Sequence, residues 1–340
     1  MRARAERRKP SIRTIAQRVG LSPTTVSLAL RGAARIPAPT RARVLAAARE
    51  LGYIYRPRSE QVVRRRCVFV MPDTGDQSLS DNPFFGEVLR GAQQACDAHG
   101  ARLSFCILPY EQDAPLPPVL HDAADEGVLL VGAYPASLVE RIAGETGRAL
   151  VLVDNRLPGR PYDSVMADDY GGALQATRHL IELGHRSIAM LAGRMDVPSF
   201  AERYRGYASA CQQAGLRPWP PIESTWERHA VVVVWRDLLR RIPRPTACFC
   251  AHDAYAVLVL DVLRELGLAV PDDIALVGFD DFAMAAQARP ALTTVRNHPR
   301  LMGRWGIERL LARLAGDDQP ALAISIATQL VIRESTQRVR

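Results

Sequence analysis

Between residues 67 and 315, apolar runs alternate with amphipathic stretches, and this alternation constrains the chain more than any other feature. The runs fall at 67–71, 103–108, 128–132, 149–153, 187–192, 246–250 and 273–278. Helix-length segments separate them, near 84–98, 136–146, 170–183, 200–214, 229–241, 253–266 and 299–315. Short continuous apolar runs suit strands buried on both faces, and a helix between successive strands covers those faces. The predicted class is α/β with parallel sheets. A stretch of about 270 residues suits two such lobes rather than one.

Ahead of this body, residues 12–31 read as two short helices joined by a tight turn. Ile12, Ile15, Ala16 and Val19 recur at helical spacing, and Val26, Ala29 and Leu30 form the stripe of the second helix. Ser22 is placed to cap that helix and Pro23 suits its first position. Ala16 is small where the helices cross, Gly20 supplies positive φ in the turn, and Val26 anchors the second helix on the first. That combination predicts a helix-turn-helix with its second helix in a DNA major groove. The expected DNA contacts are Ser11, Ser22, Pro23, Thr24, Thr25, Ser27, Leu28 and Arg31. A third helix is predicted over 40–51, before Gly52.

Charge agrees with this reading. Residues 1–66 hold 17 of the 44 Lys/Arg but only 3 of the 36 Asp/Glu, which leaves residues 67–340 at net −6. A basic head on an acidic body fits a polyanionic partner. Arg2, Arg4, Arg7, Arg8 and Lys9 precede the first helix, and Arg64, Arg65 and Arg66 close the segment. Both clusters can neutralise phosphates without reading bases. Between them, a linker follows Gly52, and a short helix from Pro57 onward would need DNA to fold. The N-terminus lacks the apolar core of a signal peptide, and apolar runs such as 230–235 are too short to span a bilayer. The six cysteines show no metal spacing, so core thiols in a reducing cytoplasm are expected. No nucleophile elbow, phosphate loop or dinucleotide glycine pattern appears, so no catalytic residue, metal site or cofactor is predicted.

The head segments SIRTIAQRVGLSPTTVSLAL and TRARVLAAARELGY are followed in order by NPFFGEVLRG, VDN, HLIELGHRSIAML, ERYRGY, PTACFCAHDAYA, VPDDIALVGFDD, LTTVR and VIREST. This order resembles the LacI/GalR family of bacterial transcription regulators over essentially the whole chain. The resemblance implies a head at 1–56, a hinge at 57–66 and a two-lobed periplasmic-binding-protein-like body at 67–340. Lobe 1 would take 67–166 and 296–324, and lobe 2 would take 167–295 and 325–340. A cytoplasmic homodimer on a pseudo-palindromic site in double-stranded DNA follows, with a sugar-like effector between the lobes and no membrane partner. Effector contacts are implied at Phe84, Asp154, Arg203, Trp226, His252 and Asp280. Carboxylates and an arginine suit vicinal hydroxyls or a ligand carboxylate, and flat rings cover an apolar face.

Plainer roles compete at these positions. Asp154 and Asp280 suit turns or caps, Arg203 a surface charge, and His252 a structural histidine. Phe84 and Phe85 are expected to divide between core and ligand, and Asp253 and Asp281 to cap the helices after them. Three residues depart from the family pattern. Leu28 replaces an arginine that reads guanine, so methyl contacts, Thr24 and Arg31 must carry base readout. Val62 replaces a leucine wedge in a hinge that also holds Pro57, Ser59 and Glu60. His252 replaces an asparagine with a larger, titratable ring. The leading expectation is a ligand-controlled repressor. A transport-type binding protein and a regulator tuned by a protein partner are the alternatives. An enzyme using His252 and Asp253, or His185 or His298, lacks the accompanying motifs.

Overall fold

Helices of eight residues are marginal alone in water, so the first two stand only because a third shares their core. These are α1 (Ile12–Val19), α2 (Pro23–Leu30) and α3 (Ala38–Glu50), packed through Ile15, Ala16, Val19, Val26, Ala29, Val44, Ala47 and Ala48. The computed structural model describes residues 11–30, 36–51, 53, 65–73, 83–109, 115–122, 126–223 and 227–337. Arg31, Val62, Trp226, the hinge residues Pro57, Ser59 and Glu60, Arg64 and the basic cluster at 2–9 lie outside the described residues. The chain divides into two compact units, residues 1–63 and 64–340.

The second unit runs β1 (Arg66–Pro72), α4 (Pro83–Ala98), β2 (Arg102–Leu108), β3 (Gly127–Val131), α5 (Ala136–Thr146), β4 (Ala149–Val153) and β5 (Asp163–Ala167). It continues through α6 (Asp169–Glu182), β6 (Ile188–Leu191), α7 (Pro198–Gln213), α8 (Arg228–Leu238), β7 (Ala247–Cys250), α9 (Asp253–Glu265) and β8 (Ala275–Val277). It ends with α10 (Ala283–Gln287), β9 (Thr294–Arg296), α11 (Pro299–Leu314), β10 (Ala323–Ile326) and β11 (Gln329–Val331). One parallel sheet has the order β10-β5-β4-β3-β1-β2, and a second has β6-β7-β8.

Strand alternation sends successive side chains to opposite faces, and both faces are covered except along the edge strands β2 and β10. In the first sheet Cys67, Phe69 and Met71 face α4 and α11, while Val68 and Val70 face Leu138, Val139 and Ile142 of α5. In the second, Leu191, Cys248 and Cys250 pack with Trp235 of α8 and Val259 of α9, while Met190, Phe249 and Val277 pack with Tyr207 of α7 and Ala173 of α6. The six cysteines are free and buried. Backbone-to-backbone packing joins α4 and α11. A Cβ on Gly91 would stand 1.9 Å from the Arg300 carbonyl oxygen, and one on Gly303 would stand 2.0 Å from that of Val88. No helix among the described residues is long and apolar enough to cross a membrane.

Three described crossings join the sheets: β5 into α6, β9 into α11, and β10 into β11. They are bonded to one another. The Asp168 N–H donates to the Ile326 carbonyl at 2.8 Å, the Thr328 hydroxyl donates to the Asp168 carbonyl at 3.1 Å, and β9 pairs antiparallel with β11.

Candidate nucleic-acid interface and ligand cleft

In the head, polar caps set where α1 and α2 begin. Ser11 Oγ accepts from the Thr14 N–H at 3.2 Å, and Ser22 Oγ accepts from the Thr25 N–H at 3.1 Å. Gly20 ends α1 at φ 67°, a conformation that glycine adopts without the Cβ penalty. Arg43 of α3 donates to the Val19 carbonyl at 3.0 Å, a tie between helices that the sequence did not reveal. With Val26 and Ala29 turned inward, α2 leaves Ser22, Pro23 and Thr24 exposed and Thr25, Ser27 and Leu28 partly exposed. This outward surface is short, carries no charge and has hydroxyls only at Ser22, Thr24, Thr25 and Ser27.

In the body, strand ends deliver the polar groups to the space between the sheets. Asp154 follows β4, His252 and Asp253 follow β7, and Asp280 and Asp281 follow β8. Asp154, Asp280 and Asp281 hold positive φ values of 57°, 108° and 57°. Such backbone strain costs about 1–3 kcal/mol per residue in general and gathers at functional sites.

Arg203 of α7 is the hub. It is 4 % exposed. Its Nε donates to Asp169 Oδ1 at 2.8 Å, its Nη1 to the Ala251 carbonyl, and its Nη2 to Asp280 Oδ1 at 3.4 Å. The guanidinium carbon lies 3.7 Å from the centroid of the buried Phe279 ring, a cation–π contact. Asn297 donates to the same Asp280 oxygen at 3.4 Å. Asp154 reaches over from the other sheet and accepts from the Ser199 hydroxyl.

Three carboxyls lie around one guanidinium here, and burial outweighs its pull on each of them. Burial, then the neighbouring Asp169, pushes Asp154 up to about 8 against the pull of Arg203. Burial raises Asp280 to about 6, again opposed by Arg203. Asp169 is raised by burial as well. His252 moves well below its ordinary value because burial and the Arg203 charge both disfavour the imidazolium.

Several residues take roles other than those expected. His252, and not Asp253, caps α9, its Nδ1 accepting from the Tyr255 N–H at 3.4 Å. Its ring packs against Tyr255 and Phe200, with centroids at 4.3 and 5.9 Å. Asp253 instead accepts from the Thr294 hydroxyl at 2.6 Å and the Phe282 N–H at 2.9 Å. Asp281 accepts from Arg296 and Arg333 at 2.8 and 2.5 Å, and α10 has no side-chain cap. In both cases a long-range partner outcompetes the local cap. Phe84 and Phe85 are both buried in the core beneath α4, edge to face with centroids 5.5 Å apart. His185 is committed to Thr246 and the Gln337 carbonyl. Asp169, Ser199 and Asn297 join the cluster without having been singled out in the sequence.

Two grooves border the cluster. One of about 540 Å³ is lined by Arg156, Asp168, Asp169, Glu202 and Arg205, among others. The other, of about 690 Å³, is lined by Glu87, Asp280, Phe282, Asn297 and Arg300, among others.

Residues 11–55 match the model for bacterial regulatory proteins of the lacI family, and residues 177–336 match a periplasmic binding protein-like domain. The HTH-type transcriptional regulator CelR of Thermobifida fusca is 31 % identical over 97 % of this chain and 99 % of its own. The HTH-type transcriptional repressor PurR of Proteus mirabilis is 29 % identical over 96 % of both chains. The solved CelR–cellobiose complex has 30 % identity and a TM-score of 0.72, covering 96 % of this chain and 100 % of that one. A lac repressor dimer bound to operator and the anti-inducer ONPF shares the fold, with a TM-score of 0.69 at 23 % identity over 97 % of this chain and 100 % of its own. The chain belongs to the lacI family of bacterial transcription regulators.

Proposed function

We propose that this chain is a cytoplasmic, homodimeric transcription repressor whose affinity for a pseudo-palindromic operator is set by a small effector bound between the lobes. The observation that carries the reading is the capped helix-turn-helix, with Gly20 at φ 67° and an outward α2 face, at the start of a two-sheet body. Residues 1–56 serve as head, 57–66 as hinge and 67–340 as effector-binding and dimerisation body. Lobe 1 takes 67–166 with 296–324, and lobe 2 takes 167–295 with 325–340. Ser11, Ser22, Pro23, Thr24, Thr25, Ser27, Leu28, Arg31 and Val62 form the DNA-contact set. Asp154, Arg203, Trp226, His252 and Asp280 form the effector set, joined by Asp169 and Ser199, and Phe84 leaves the expected set because its ring is spent in the core.

The relative solved with cellobiose supports a sugar-like effector. The cleft binds without turnover, and the ligand is expected back unchanged. Selection of bound genomic fragments tests DNA recognition and yields the operator. Linkage requires operator and effector to change each other's affinity by one factor. Equal effector affinity with and without operator would remove the mechanism.

A further inference from the structure

Arg203 is the only guanidinium inside the cluster among the described residues, and each of its three nitrogens already donates to a protein group. Its Nε, Nη1 and Nη2 are committed to Asp169, Ala251 and Asp280, and its face lies on Phe279. A ligand carboxylate or phosphate would have to share the cation with these partners and would meet Asp154, Asp169 and Asp280 beside it. Asp169 is 2 % exposed, and its Oδ2 has no hydrogen-bond partner among the described residues. Asp169 also lines the groove of about 540 Å³. Other charges in that groove are Asp168, Glu202, Arg205 and the exposed Arg156, and Arg205 is bonded to Glu202 at 2.5 Å. Segments 74–82, 110–114, 123–125 and 224–226 contain no lysine or arginine, so they bring no further cation. A buried carboxylate oxygen lacking a donor is costly, and an ammonium supplies both donor and charge where a hydroxyl supplies the donor alone.

We propose that the cleft selects an effector bearing a protonated amine, seated against Asp169 Oδ2. The proposal rests on the reading of the cleft as the effector site. Calorimetric titration of the full-length protein tests it with two matched sets: glucosamine, N-acetylglucosamine, glucose and gluconate; and 1,4-diaminobutane, 1,4-butanediol and succinate. In at least one set the amine is expected to bind at least about tenfold more tightly than its hydroxyl counterpart, as a charge-assisted hydrogen bond implies. Acetylation of the amine should erase the preference in the wild type. Asp169→Asn keeps an acceptor for Arg203, removes the charge and should erase it from the protein side. Neutral or anionic members binding as well as the amines overturn the proposal. So does a complete lack of binding in both sets while operator binding is intact. Loss of operator binding in the wild type would strike the regulator reading instead.

Discussion

Asp154→Asn removes one of three mutually repelling carboxyls without altering the shape of the cleft. Asparagine tolerates φ 57° as aspartate does, and its amide oxygen still accepts from Ser199. The folded-state pKa stands at about 8 against the ordinary aspartate value of 3.8. The folded chain therefore holds a proton that the unfolded chain releases. The associated stability is complete below the unfolded value and is lost as pH rises through the folded one. At about 1.4 kcal/mol per pKa unit, a shift of about four units sets a ceiling near 6 kcal/mol. Asp154 is only partly buried, so solvent screening brings the expected loss down to about 2 kcal/mol. Urea denaturation of both proteins at about pH 4 and about pH 9 reads the group together with its coupling to Asp169 and Asp280, because the titrations outside the cluster are common to both. The variant should gain about 2 kcal/mol on the wild type across that interval. Parallel stability curves would refute the argument that burial beside Asp169 holds a proton on Asp154.

Three further outcomes follow from the packing and the caps. Gly303→Ala should destabilise the body by about 3 kcal/mol or more, read by thermal melting, because its Cβ would meet the Val88 carbonyl oxygen. Ser22→Ala should cost the head about 1 kcal/mol through loss of the Thr25 cap, measured by hydrogen exchange in the amides of α2. Leu28→Arg should shift binding-site selection toward guanine at one half-site position, and identical motifs from both proteins would contradict that role for residue 28.

The sequence showed its long-range order where periodicity was strong and hid it where elements were short. β1, β3, β4 and β6 to β8 stood out as apolar runs because both of their faces are covered, whereas β2 stood out by composition alone, since Phe105 and Ile107 on this edge strand are exposed. β9 and β11 are three residues long, and β5 and β10 carry Asp163, Ser164 and Ser325, so their composition reads as loop. Asp154, Arg203, His252 and Asp280 were legible from strand ends and matched motifs. Asp169 was not, because an acidic residue in the first turn of a helix usually needs no explanation beyond the helix dipole. Only the fold shows that Arg203 reaches it. The capping role of His252 was hidden similarly, since Asp253 beside it is the commoner cap and is drawn instead to Thr294 and Phe282.

The bonded crossings have a mechanical consequence. Three independent tethers would let two bodies twist, slide and bend. Here the Asp168–Ile326 and Asp168–Thr328 bonds clamp the first crossing to the third, and the β9–β11 ladder clamps the third to the second. Twisting or sliding would break backbone hydrogen bonds, whereas bending needs only dihedral changes within each crossing. The joint thus has one soft coordinate. Labels placed on either rim of the cleft should report the same opening angle, and any effector that changes that angle changes it for the whole body at once.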